Sequence, residues 1–227
     1  SRLVPAQIIR VIRGSGVDTG RFRPAAIETA SPRPLRVLLA ARLLWEKGIR
    51  EFVDAAALLK EQGRQVECLL AGVPDPGNPG SVAREDVEHW QRQGLIRWLG
   101  HVEDMPALLS TVDVMALPSY YREGVPKSLL EAAACGLALI TTDLPGCREV
   151  VTRHGFDGLH TEPRDAASLA RLLAQLDDDR DLLRRLGDNA RQKVLADFDE
   201  RLVIEKTIEV YAELLSAFPR AAHATVS

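Results

Sequence analysis

Disulfide frameworks, metal-ligand clusters, basic patches and long apolar runs are all missing from this 227-residue sequence, and each absence closes a class of function. Its three cysteines, Cys68, Cys135 and Cys147, are odd in number and scattered through expected strand, helix and loop, which suits reduced core thiols in a cytosol. The five histidines, His89, His101, His154, His160 and His223, show neither helical i, i+4 pairing nor neighbouring cysteine pairs, so no metal site is expected. A net charge of −3 with both signs interspersed gives no footprint for nucleic acid, and Arg10, Arg13, Arg21 and Arg23 are too sparse to alter that. No apolar run reaches about 18 residues, the length of a spanning helix. The opening SRLVPAQIIRVIRGSG has neither the apolar segment nor the small-residue cleavage site of a secretion signal. With no methionine at position 1, the sequence is expected to be a portion of a longer protein.

What remains is the rhythm of a folded α/β protein, with 46% hydrophobic residues to fill a core. Gln7–Arg13 alternates as a strand and GSGVD follows as a glycine-permitted turn. From Leu35 the chain reads as strand (LRVLLAAR), amphipathic helix (GIREFVDAAALLKEQG), strand (QVECLLAG) and a Pro- and Gly-rich loop, Val73–Gly80. A helix is expected over Ser81–Gln93 with Ser81 as its cap, a strand over Ile96–Leu99, and a short helix over Asp104–Leu109 opening at Pro106. Further on come a short helix at Pro145–Val151, a strand near Gly158–Thr161, and helices near Ala166–Leu176, Arg180–Ala196 and Glu200–Ser216. The fold class is therefore α/β, a doubly wound Rossmann-like parallel sheet over residues 35–217, with a mobile tail at 218–227.

The stretch Ser110–Asp143 between these elements carries the chemistry. Val112–Leu117 reads as a buried strand delivering the chain to a loop at its carboxyl end, where open α/β sheets bind ligands. Gly124 frees the backbone, Pro126 suits the first position of a helix over Lys127–Cys135, and Gly136 closes it. The amino terminus of that helix offers unpaired N–H groups and a positive dipole end, a natural seat for phosphate. Pro126 has no N–H, so Lys127 and Ser128, expected at the second and third helical positions, are the donors. Glu123 at the mouth is better suited to accept from sugar hydroxyls, and Glu131, a turn deeper, from a ribose diol. Arg42 and Lys47 flank the loop leaving the first strand and reach the same crevice, where two cations suit a diphosphate. On local sequence alone an ion pair of either with Glu46 is an equal contender. Thr142 and Asp143 read as a strand end and a helix cap.

Glu, seven residues, Glu on a strand-loop-helix, followed by EAAACGLALITTDLPGCREVV, resembles glycosyltransferase family 4, also called group 1. The resemblance implies the carboxyl-terminal, donor-binding half of a two-domain enzyme of the GT-B type, with residues 1–34 a remnant of the interdomain segment. It assigns Glu123 to the donor sugar, Glu131 to the nucleotide ribose, Gly124, Val125, Lys127 and Ser128 to the diphosphate, and Arg42 and Lys47 to its charge. His101 and Val102, in LGHVED, fall where family members contact the base through backbone atoms. Many members carry Gly-Phe-Gly after the first glutamate; Gly124, Val125 and Pro126 stand here, which removes one phosphate-binding amide.

The implied reaction is retaining, metal-independent transfer from a nucleotide-diphosphate sugar, a UDP-sugar, with no cofactor. The implied acceptor is a glycan or a polyprenyl-linked lipid, and the implied setting the cytoplasm, peripheral at the inner face of the membrane. A non-catalytic nucleotide-binding module and a nucleotide-sugar epimerase are the alternatives. The acceptor-binding domain belongs to the missing amino-terminal half, so this portion alone is expected to transfer no sugar. Without that partner, residues 1–24 are expected to lie extended and poorly packed, or to pair with a neighbouring molecule's sheet edge.

Overall fold

A computed structural model of the chain describes residues 16–25 and 33–217. The strand expected at Gln7–Arg13 and the tail 218–227 lie outside the described residues. Six parallel strands, β1 (Leu35–Ala40), β2 (Val66–Ala71), β3 (Arg97–Gly100), β4 (Val114–Leu117), β5 (Ala138–Thr142) and β6 (Leu159–Thr161), form one sheet in the order β3-β2-β1-β4-β5-β6. Eight helices accompany them among the described residues: α1 (Ile49–Glu61), α2 (Arg84–Arg92), α3 (Met105–Leu109), α4 (Lys127–Ala134), α5 (Cys147–Val150), α6 (Ala166–Asp178), α7 (Arg180–Asp197) and α8 (Glu200–Ala217).

Both faces of the sheet are covered, which is why β4, residues 37–40 of β1 and residues 138–140 of β5 read as continuous apolar runs instead of alternating with polar residues. The period of two still sorts their side chains. Leu35, Val37, Leu39, Val114, Ala116 and Ile140 pack with Phe52 of α1, Trp90 of α2 and Leu173 of α6. Leu38, Ala40, Met115, Leu117 and Leu139 pack with Leu129 and Leu130 of α4 and Ala190 and Val194 of α7. All three cysteines are buried and free; burial pushes the Cys68 thiol up to about 12 and that of Cys135 to about 11.

Several boundaries differ from expectation for local reasons. Ser81 does not cap α2; its hydroxyl accepts from Asp75 N at 2.9 Å inside the preceding loop, and the helix starts three residues later behind Ala83. Asp104 caps α3 by accepting from Ala107 N at 3.1 Å, so Pro106 sits inside the first turn and does not open it. β4 begins at Val114, not Val112, because the Asp113 carboxylate is taken by Arg36 N at 2.9 Å and by the Arg33 guanidinium. The helix expected from Pro145 starts at Cys147, behind Gly146.

The front segment departs furthest from expectation, since residues 16–22 are packed into the body. Val17 donates to Phe198 O at 2.9 Å and accepts from Glu200 N at 3.1 Å, and Thr19 Oγ1 donates to Asp199 Oδ2 at 2.5 Å. Val17 and Phe22 are buried in the core that α4 and α7 share. Hydrogen bonds from Arg201 and Thr19 hold the Asp199 carboxyl well below the usual carboxylate range.

Helix α7 crosses the start of β5 so closely that a Cβ on Gly187 would fall inside 3.0 Å of the Gly136 backbone. Gly187→Ala ought to stabilise an ordinary helix by about 1 kcal/mol. Here it should destabilise the protein by about 1 to 3 kcal/mol through overpacking, read as a lower urea midpoint at unchanged slope. A raised midpoint would show that α7 can move off the sheet.

Candidate functional site

Strand order reverses direction between β1 and β4, and doubly wound sheets bind ligands at that switch point, outside the carboxyl ends of the strands. Leaving β1, the chain runs through Arg42 into a 3-10 turn, Trp45–Lys47, closed by Gly48 at φ 78°. Leaving β4, it runs through Pro118 and Ser119 to Glu123 and then into α4. The two loops are fastened together: Tyr120 N donates to Glu46 O at 3.1 Å, Ser119 Oγ lies 3.0 Å from the same oxygen, and Gly48 approaches the Pro118 backbone too closely to admit a Cβ.

The loop after β5 supports them from behind. Thr142 Oγ1 donates to Ser119 O at 2.6 Å, and Gly146, in the left-handed region at φ 87°, leaves no room for a Cβ against the carbonyls of Glu123 and Gly124. Thr142 is thus a fastening at a strand end, as expected. Asp143 caps no helix; it pairs with Arg148 at 2.6 Å.

Glu123 is held tightly in consequence. Lys47 Nζ lies 2.6 and 2.7 Å from its two oxygens, with the side chains only 14% and 12% exposed, and Ser119 Oγ donates to Oε1 at 2.7 Å. The local contest is therefore settled without Glu46: Lys47 pairs with Glu123, while Arg42 reaches Asp75 at 3.3 Å on the open surface. A cleft of about 350 Å³ opens beside the pair, lined by Arg42, Lys47, Glu123, Gly124, Val125, Lys127 and Ser128.

The amino terminus of α4 forms one wall of the cleft. Pro126 adopts ψ 118° and is the residue before the helix, not its first, so Lys127 and Ser128 occupy the first and second helical positions. Their N–H groups have no intrahelical acceptor. Seven of the ten residues singled out from sequence thus line one cleft. Glu131 lies deeper on α4, half-buried, beside Lys127 and Arg21; burial raises its carboxyl pKa, partly offset by those two cations. His101 is exposed and Val102 packs on the core, both beyond β3 at the sheet edge and outside the cleft. A larger cleft of about 460 Å³ at the amino ends of β2 and β3 faces the carboxyl end of α1, the wrong pole for an anion, and its Arg64 is already paired with Asp178.

Residues 25–193 match the family model described as glycosyl transferases group 1. The chain belongs to the group 1 glycosyltransferases. Among its relatives in the group, it is 32% identical over 218 residues to the N,N'-diacetylbacillosaminyl-diphospho-undecaprenol alpha-1,3-N-acetylgalactosaminyltransferase of Campylobacter jejuni, covering 91% of this chain and 55% of that protein. It is also 32% identical to the glycogen synthase of Mycobacterium tuberculosis, covering 89% of this chain and 48% of that one. The chain therefore spans about half the length of these curated relatives.

Solved structures share the fold, two of them as follows. Sucrose-phosphate synthase from Thermosynechococcus elongatus superposes with a TM-score of 0.79 at 26% identity, over 92% of this chain and 53% of that one. Anabaena HepE, in complex with UDP, superposes with a TM-score of 0.74 at 24% identity, over 89% and 56%. Ser119, Gly146 and Arg21 complete the arrangement of this group 1 glycosyltransferase and were not singled out from sequence. Ser119 falls inside the stretch that was, but its partner is set by the turn of the loop.

The raised pKa of Glu131 has a definite sign for stability. A folded state that holds a proton more tightly than the unfolded chain loses stability as pH rises through the raised pKa. Glu131→Gln should therefore stabilise the unliganded protein at neutral pH, with the gain in melting temperature vanishing below the pKa of an unfolded glutamate, about 4.3. A lower melting temperature at neutral pH would show that Lys127 and Arg21 outweigh burial.

Proposed function

We propose that this chain is the carboxyl-terminal, donor-binding half of a family 4 glycosyltransferase of the GT-B type, and that the switch-point cleft holds a UDP-sugar. The observation that carries the reading is the convergence, in one 350 Å³ cleft, of the Arg42 and Lys47 cations, the amino end of α4 and the Glu123 carboxylate. Helix amides and the Arg42 and Lys47 cations stabilise negative charge growing on the departing diphosphate, with no metal required. Glu123 accepts from sugar hydroxyls, Glu131 from the ribose, and the backbone around His101 and Val102 borders the base. Transfer retains the anomeric configuration.

HepE, a protein of the same fold, binds UDP, and the Campylobacter relative is named for a diphospho-undecaprenol acceptor. A polyprenyl-linked acceptor presented at the inner membrane face suits this chain on the same grounds. No helix among the described residues is long and apolar enough to cross a membrane.

Acceptor binding falls to an amino-terminal domain supplied by the rest of a protein about twice this length, and the donor half alone transfers nothing. Ile204, Ile208, Tyr211 and Leu214 form an exposed apolar stripe along α8, which that domain covers.

Arg42 is 66% exposed and its Asp75 contact is long, so its guanidinium turns to a diphosphate at little cost. Arg42→Ala should weaken UDP binding about tenfold and leave uridine unchanged, since charge-assisted contacts are worth about 1.5 to 3 kcal/mol. Lys127→Ala, whose side chain is exposed, should stay within about threefold, well short of the tenfold that 1.4 kcal/mol represents. Calorimetry with UDP and uridine decides; equal losses for both ligands on removing Arg42 would contradict its assignment to phosphate.

A further inference from the structure

We propose that Ser119 is a positioning residue, whose hydroxyl keeps the Glu123 carboxylate aimed at the donor sugar when Lys47 turns from that carboxylate to the diphosphate. The inference rests on the donor-binding reading above. The Lys47 ammonium sits between both oxygens of Glu123, at 2.6 and 2.7 Å, and the same ammonium lines the cleft beside the amino end of α4. A diphosphate placed there competes for Lys47. Whatever share it takes is lost to Glu123, whose side chain is only 12% exposed.

The two carboxylate oxygens are not equivalent in this respect. Among the described residues Oε2 receives only Lys47, whereas Oε1 also receives Ser119 Oγ at 2.7 Å. Withdrawal of the lysine therefore frees Oε2 for a sugar hydroxyl while Oε1 stays anchored.

Ser119 is built to be that anchor. It is fully buried immediately after β4, its carbonyl accepts from Thr142 Oγ1 at 2.6 Å, and its Oγ accepts from Tyr121 N at 3.4 Å. A hydroxyl has one proton, and here it has two acceptors within reach, Glu46 O at 3.0 Å and Glu123 Oε1 at 2.7 Å. Structural satisfaction needs only the first. The second is what couples the serine to the carboxylate, and its shorter distance is that expected of a hydroxyl donating to a charged oxygen. From behind, Gly146 blocks retreat of the Glu123 and Gly124 carbonyls, so the side chain is the part of Glu123 left to be positioned.

The test is calorimetry on the full-length protein with UDP and with UDP-glucose, UDP-galactose, UDP-N-acetylglucosamine and UDP-N-acetylgalactosamine, taking the sugar that gains most over UDP. Ser119→Ala should leave UDP affinity within about twofold and cut the gain due to the sugar by about tenfold, the worth of one hydrogen bond to a charged group. Ser119→Ala combined with Glu123→Ala should lose no more than Glu123→Ala alone, because one acts through the other. If Ser119→Ala does not fold, Ser119→Cys keeps the shape of the side chain and weakens the donor, and carries the same expectation at smaller size. The proposal is overturned if the sugar gain survives in the variant, if UDP and UDP-sugar affinities fall together, or if the losses add in the double variant. A wild type that binds none of these ligands overturns the donor-binding reading itself, and this inference with it.

Discussion

One ammonium placed between two carboxylate oxygens ties the switch point together. Lys47 arrives on the loop after β1 and Glu123 on the loop after β4, so their contact closes the gap where the sheet reverses its order. The surrounding backbone is arranged to make that contact short. Gly48 lets the first loop lie against Pro118, and Gly146 lets the loop after β5 lie against Glu123 and Gly124. Each close approach demands a residue without a side chain, so the sequence around the site is set as much by backbone proximity as by chemistry.

The pair also determines the electrostatics of the cleft. Removing two charges from water costs several kcal/mol per ion before their attraction is counted, so a buried pair is weak support for stability and is better understood as a held reserve of charge. Bound to each other, Lys47 and Glu123 present little net charge to the cleft, and the positive character there comes from the amino end of α4 and from Arg42. On the proposed reading, an entering dianion meets a favourable pole first and redistributes the lysine second. That order suits the proposed uptake of an anionic nucleotide without a standing excess of positive charge in a chain of net charge −3.

How much of this was legible beforehand follows from the range of each interaction. The strands of the sheet and the helices behind them are encoded by apolar runs and local periodicity, so they were found to within a few residues, and Arg42, Lys47 and Glu123 lie at the carboxyl ends of β1 and β4 while Glu131 lies deeper on α4. Ends set by a single polar contact were not. Asp113 shortens β4 because it meets Arg36, 77 positions away, and Ser81 leaves α2 because it meets Asp75 in a loop whose shape no periodicity records. Pro126 fits either side of a helix start, and only its ψ distinguishes them. The pairing of Lys47 with Glu123 across 76 positions, and the burial of Val17 against the junction of α7 and α8 and of Phe22 in the same core, are tertiary facts without a local signature.

The central claim is that the nucleotide diphosphate binds at the amino end of α4. Amide NMR of the isotopically labelled protein during a titration with UDP tests it most directly. The account predicts that the resonances of Gly124, Val125, Lys127 and Ser128 move first and furthest, as their N–H groups take phosphate oxygens. Movement centred instead on Lys60, Arg64, Gln65 and Arg97, around the larger cleft at the opposite end of the sheet, would contradict it.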